Sequence, residues 1–296
     1  MSGAAWAAAS GIGFGLFQTV NRRAVARMDV LVATLLQLVV ALVVLVVVLL
    51  ASAERTRLGA VPPSAAGWFV LGGLAHFFAG WTLLNASQQR IGAARTSPLI
   101  ATVPLFGALA AAVTLGELPS GLSWVAILLI TGGAYVVAGE RVLRGASGMP
   151  MRWRDSAYGL GTAAAWGLSP IFIRKGLDLF DSPLLGLTLG LAAALVAYIV
   201  LLALRGVPAG RAAVGDAPWL KIAAGVLVAL STWGRWVALE GTSVGNVLAL
   251  GLMSVPIVLL VSPAWMGPES ESASAVVWLG AALVVAGSLV LVVHGE

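Results

Sequence analysis

Residues 152 positions apart echo one another along this 296-residue chain. Trp81 falls on Trp233, Pro104 on Pro256 and Glu117 on Glu269. Upstream, Phe14-Gly15-Leu16 falls on Trp166-Gly167-Leu168, Arg22-Arg23 on Arg174-Lys175 and Asp29 on Asp181. A register held without gaps over roughly a hundred residues marks an internal duplication. The fold must then be assembled from two copies of one unit.

That unit is made of apolar runs. The chain is 60% hydrophobic and 10% charged, with a mean hydropathy of +1.00, against about 45–50% and 25% in soluble domains. A single aqueous core cannot hide so many apolar side chains, and runs of about twenty such residues span a bilayer. The sequence therefore predicts an all-α integral membrane protein, because closed barrels need amphipathic strands of about ten residues. Ten spanning helices are expected, at 3–20, 30–50, 67–86, 94–113, 120–139, 156–173, 183–203, 218–238, 244–262 and 275–293. The start, Met1-Ser2-Gly3-Ala4-Ala5, lacks the basic segment of a cleavable signal peptide, so the first run is expected to be retained as a span.

The polar stretch Gly139–Asp155 divides the chain into repeats, 1–150 and 151–296. Five helices per repeat is an odd number, so the second copy enters the membrane the other way up. Such inverted repeats are a common plan of secondary transporters, with the solute site near the midplane between halves. Gly11-x-x-x-Gly15 and Gly186-x-x-x-Gly190 place small residues four apart, which lets helices approach closely in lipid. Pro98, Pro104, Pro170 and Pro256 each remove a backbone donor in or near a span and mark bending points.

Other function classes fit poorly. There is no cysteine, which removes disulfides, thiolate metal sites and cysteine nucleophiles. No zinc-protease, serine-hydrolase or phosphate-loop motif occurs, so neither an enzyme nor an ATP-driven pump is expected, and no tightly bound cofactor or metal. The net charge of +5 and pI near 10.4 come from seventeen basic residues scattered over short loops. That distribution suits topology and lipid headgroups, not nucleic acid.

A few polar residues lie inside the apolar runs, where ionisable groups are candidates for function. His76 sits mid-way along the third helix. It is a candidate carrier of a coupling proton, or else a histidine satisfied by a neighbouring helix carbonyl. Arg235, flanked by Trp233 and Trp236, is suited to bind a carboxylate or phosphate. Its alternative is to reach towards the interface and pair with Glu240. The 152 offset puts Leu83 opposite Arg235, so the halves are chemically unequal there, as a carrier of an asymmetric solute requires. Trp81, Asn85 and Gln88 share one helix face, and Trp81 with Trp233 forms a candidate sandwich for a planar solute. Gln18, Thr102, Ser169, Asn246 and Ser254 complete a polar lining, each also able to serve as helix–helix glue. Glu117 and Glu269 are expected to brace the turn before each fifth helix, beside Pro119 and Ser120 in the first repeat.

Two five-helix repeats, Trp166-Gly167 in the first helix of repeat two, Pro104, and the closing Leu115-Gly116-Glu117 resemble the EamA family of the drug/metabolite transporter superfamily. Repeat one departs from that pattern with Phe14-Gly15 for Trp-Gly, and repeat two with Gly267-Pro268-Glu269 for Gly-Glu. The resemblance implies a bacterial inner-membrane carrier, monomer or homodimer, exporting an amino acid or similar metabolite. It also implies a central cavity lined by helices 1, 3, 4, 6, 8 and 9, on which Trp166 joins the candidate set. A flippase for a lipid-linked solute is the alternative within that superfamily.

Orientation draws two opposed expectations. Loops after odd-numbered helices hold 12 of the 17 basic residues, Lys221 among them. The side with both termini holds 5: Arg55, Arg57, Arg174, Lys175 and Arg235. The positive-inside rule then puts the termini outside the cytoplasm, whereas the resemblance implies cytoplasmic termini.

Overall fold

A computed structural model describes residues 1–25, 30–84, 86–87, 99–144, 153–205, 218–266 and 274–294. Among them the chain is helical, with no strand. The α-helices are Gly3–Val25 (α1), Val30–Ala51 (α2), Pro63–Gly73 (α3), Val103–Thr114 (α4), Gly121–Arg144 (α5), Trp153–Leu179 (α6), Pro183–Arg205 (α7), Pro218–Gly241 (α8), Val244–Gly251 (α9), Ser254–Met266 (α10) and Ala275–His294 (α11). A 3-10 stretch, Ala53–Ala60, precedes α3, and a π-helical stretch, Leu74–Gly80, follows it without a break. Pro63, Pro183 and Pro218 open their helices, where the missing N–H is one that no helix uses.

Six helical segments are long and apolar enough to cross a membrane: Val32–Ala51, Pro63–Leu84, Pro183–Arg205, Trp219–Gly241, Val244–Val261 and Ala275–His294. The sequence predicted ten spans. α1 and α6 have the length but are diluted by glycine, alanine, serine and threonine and so are less apolar, and α6 carries Arg174, Lys175 and Asp178 near its end. α6 is also longer than expected, running to Leu179 where 173 was predicted, because those charged residues stay helical. The predicted single helix 244–262 is two pieces, with Leu252 and Met253 in a turn between α9 and α10. The fourth helix turns in the same way at Ala101–Thr102, just before α4.

The breaks have a local cause. Pro104 and Pro256 each lie a few residues downstream of one. A proline lacks the N–H for its i−4 carbonyl and its ring presses on that carbonyl, which disrupts the preceding turn. Tighter bonds take over there, Val255 N–H to the Leu252 carbonyl at 2.9 Å and Leu105 N–H to Thr102 at 3.1 Å.

Packing rests on small residues, as expected where lipid supplies no hydrophobic drive between helices. α1 lies along α8 and touches α9 and α10, while α6 packs on α3 and α4. α2 meets α8, α3 meets α7, α4 crosses α9, and α5 runs along α11. A methyl group on Gly73 would collide with the backbone of Gly190, and one on Gly133 would lie 2.5 Å from the Gly280 carbonyl. Phe69 is a knob that serves two glycines: it fills the space left by Gly176 and Gly186, whose added Cβ atoms would fall 2.5 and 2.6 Å from its ring. The outward faces of α2, α7 and α11 expose Val43, Val47, Val196, Leu279 and Leu289, the surface a lipid-facing bundle presents.

Candidate solute-binding site

The centre of the bundle is a row of rings drawn from three helices. The π stretch carries His76, whose Nδ1 lies 2.9 Å from Ser169 Oγ on α6. One turn back on α6, Trp166 donates its indole N–H to the His76 carbonyl at 3.0 Å. The His76 and Trp166 rings are nearly parallel, 5.7 Å between centroids. Trp166 then meets Trp81 edge-on at 5.9 Å, Trp81 meets Phe17 at 6.3 Å, and Phe17 meets Phe14 at 5.2 Å. At the end of the row the Arg235 guanidinium sits over the Phe14 ring, 5.5 Å from its centroid.

The helix segment around His76 is shaped by these contacts. π-helical turns are uncommon and recur at functional sites. A Cβ added to Gly80 would collide with the Trp166 indole, so that glycine is what lets the indole reach the His76 carbonyl. Gly80→Ala is therefore expected to displace Trp166, lower stability by about 1–3 kcal/mol and shift the tryptophan emission. Thermal unfolding and fluorescence spectra of purified protein check this; an unchanged spectrum would contradict it.

The structure places the expected residues unevenly. His76, Trp81, Trp166 and Ser169 form one cluster, and Arg235 joins it through Phe14 and Phe17. Among the described residues the ring neighbours of Trp81 are Phe17 and Trp166. The close partner of a helix-3 ring is thus a helix-6 ring, because α3 packs on α6. Trp236 is 1% exposed and lies against Phe69, 5.8 Å away, in the packed core. Gln18 is exposed, on the opposite face of α1 from buried Phe17. Thr102 lies at the break before α4 and bonds back to the Leu99 carbonyl. Asn246 is buried near the start of α9, its Oδ1 without a hydrogen-bond partner among the described residues. Asn85 and Gln88 lie outside the described residues, as do Pro98 and Gly267-Pro268-Glu269.

Arg235 does not pair with Glu240. Among the described residues its guanidinium makes no ion pair or hydrogen bond, and its buried Nε has no partner. Its Nη2 lies 3.6 Å from where a Cβ on Gly251 would be, so the group sits at the break between α9 and α10.

One end of the bundle is closed by charge. Arg174 donates to the carbonyls of Leu239 and of Thr242, the latter at 3.2 Å, and lies 3.7 Å from Glu117 Oε1 and 3.7 Å from Asp178 Oδ1. Glu117 Oε2 accepts from Val244 N–H at 2.8 Å. Glu117 was expected to brace the turn before the fifth helix. It reaches instead across to α6 and the start of α9, and Ser120 caps that turn by accepting from Ser123 N–H at 3.1 Å. Gly116, at φ 69°, makes the reversal that points Glu117 inward, a conformation only glycine adopts cheaply. Nearby, Arg57 meets Glu54 at 3.2 Å and Asp181 at 3.6 Å, and Ser182 donates to Glu54. A cavity of about 310 Å³ opens at this end, lined by Arg174, Leu177, Asp178, Asp181 and Glu240. By contrast, the void beside Trp81, between Gln37 and Leu187, is about 20 Å³, room for a single water.

Sequence reasoning missed one buried cation. Lys221, counted above as a loop charge, is 1% exposed and bonds Asn21 Oδ1 at 2.5 Å and Gln37 Oε1 at 3.1 Å. Its position between Leu220 and Ile222 in an otherwise apolar first turn was the available signal.

Comparison with known proteins adds the family. No curated protein matches the sequence. A crystal structure of a protein superposes with a TM-score of 0.79, covering 100% of this chain and 97% of that chain at 16% sequence identity. At that identity the likeness establishes a shared fold. Residues 1–139 match the EamA-like transporter family. With that match and several helices apolar enough to cross a bilayer, the chain is a multi-pass membrane protein that is similar to the EamA-like transporter family over residues 1–139.

Proposed function

We propose that the chain is a secondary carrier that exports a small metabolite, an amino acid or a related compound, by alternating access. On this reading residues 1–150 and 151–296 are two five-helix repeats of opposite orientation in a bacterial inner membrane. The pieces α9 and α10 then make up one of ten spanning helices.

The observation that carries the reading is the exchange symmetry of the contacts. α1 packs on α8 and on the broken α9–α10, as α6 packs on α3 and on the broken helix of α4. α2 meets α8 as α7 meets α3, and α2 meets α7 and α5 meets α11 across the axis itself. Each pairing becomes its partner when five is added to or taken from the helix number in the ten-helix scheme. Both fourth helices are interrupted at positions about 152 apart, and discontinuous helices line the sites of inverted-repeat carriers. The ring row between Arg235 and His76 crosses the seam between the halves, where a solute site belongs. Ser169, not a helix carbonyl, partners His76, which suits a group that carries a coupling proton.

Orientation belongs to the same proposal. Lys221 and Arg235 are inside the bundle, and without them the basic residues divide 11 against 4, which favours termini outside the cytoplasm. Cells overproducing the chain are expected to retain less of at least one amino acid or related metabolite than cells making Arg174→Ala. Equal retention across such a panel would end the export reading. A reporter active only in the cytoplasm, fused after Glu296, is expected to be silent; activity would reverse the orientation.

A further inference from the structure

We infer that Arg235 is the anchor for the carboxylate of a small organic monoanion, whose apolar part meets the half-buried Phe14 ring. The inference rests on the carrier reading and names the class of solute.

Four observations lead there. First, Arg235 is within α8, six residues before its end at Gly241, about 9 Å along the axis. The end itself is covered by Arg174 on the Leu239 and Thr242 carbonyls, so Arg235 lies inward of the charged closure. Second, carboxylates are present at that end, yet none pairs with Arg235 among the described residues. Glu117 is taken by Arg174 and Val244, and Asp178 also faces Arg174. An arginine serving only to neutralise a local charge would be expected to join them. Third, the guanidinium lies over the Phe14 ring, which offers no acceptor oxygen, and its buried Nε has no hydrogen-bond partner among the described residues, so the fork of N–H donors that matches a carboxylate in two parallel bonds is unfilled. Fourth, Phe14 itself is half-buried, an uncharged ring beside the guanidinium that suits an apolar or planar group.

The charge of the solute follows from the charge of the site. One guanidinium in a low-dielectric setting is neutralised by one negative charge, and a dianion would leave a second charge uncompensated at high cost. The 152 offset places Leu83 opposite Arg235, so the anion has one docking end only.

Purified protein in detergent tests this by the thermal shift that a ligand of the folded state produces. Butyrate and phenylacetate are the monocarboxylate probes, butyramide and phenylacetamide their neutral isosteres, and phenyl phosphate the dianion. At least one acid is expected to raise the Tm, with its amide giving no shift and phenyl phosphate a smaller one. R235Q is expected to weaken the acid response by about tenfold or more, because bonds to a charged partner are lost. R235K, which keeps the charge without the fork, is expected to fall between. No shift with either acid, equal shifts with acid and amide, a larger shift with phenyl phosphate, or full response in R235K and R235Q would each overturn the inference. Solute exchange in reconstituted vesicles separates the two readings. Exchange that ignores carboxylates keeps the carrier and removes the anchor. Arg235-dependent binding without exchange keeps the anchor and removes the carrier.

Discussion

Arg174→Ala is expected to lower the stability of the purified protein by about 2–4 kcal/mol and to abolish transport. The side chain ties three elements at once: the end of α8 through Leu239 and Thr242, the connection between α4 and α5 through Glu117, and its own helix through Asp178. Its loss strands a largely buried Glu117 carboxylate, 18% exposed, with only the Val244 N–H as partner. Exchanging the charges, Glu117→Arg with Arg174→Glu, is expected to rescue little. A glutamate at 174 cannot donate to two carbonyls, and an arginine at 117 cannot accept from Val244. Denaturant unfolding of the singles and the double measures this as a coupling energy. Full rescue by the exchange would show that the pair acts through net charge alone.

Valine at Gly15 or at Gly167 is expected to cost about 1–3 kcal/mol each and to stop transport in both cases. These glycines lie 152 positions apart in the sequence. A Cβ on Gly15 would lie 2.7 Å from Ile257 Cβ and 2.9 Å from the Ser254 carbonyl at the start of α10. A Cβ on Gly167 would lie 2.9 Å from Phe106 Cβ and 3.0 Å from Gly107 N on α4. Both seams join a first helix to a broken fourth helix, so both substitutions wedge the halves apart at the same kind of joint. Gly132→Val is the control: nothing lies within 4 Å of its Cβ position, and a side chain there is expected to be tolerated. Unfolding midpoints of the three variants decide it. A large loss at one seam with none at the other would mean that the seams are not equivalent.

Much of this architecture is legible in the sequence because its causes are local. The 152 offset identifies the glycines and prolines that set helix approach and helix breaks, and the composition fixes the class of protein. Pro104 and Pro256 announce bending, although nothing local says that the break falls upstream at Ala101–Thr102 and Leu252–Met253. The π stretch has no signature of its own, since it depends on Trp166 reaching Gly80 and the His76 carbonyl from another helix. For the same reason the contact of Trp81 with Trp166 has no local signature, because it too is made between helices. Glu117 and Lys221 mislead because flanking charges read as loop residues. Their burial comes from partners about 130 and 200 positions away. His76 and Arg235 stand out from sequence alone because an ionisable group in an apolar run has no cheap alternative to a role.

Alternate opening of one central site to the two sides of the membrane is tested most directly by thiol labelling. The chain contains no cysteine, so Thr102→Cys, at the break before α4, reports only its own surroundings. In sealed vesicles of each sidedness, a membrane-impermeant maleimide is expected to label that cysteine from either face while the vesicles stay tight to the dye. Labelling from one face alone under every condition, or labelling from both together with leakage of the dye, would contradict alternating access.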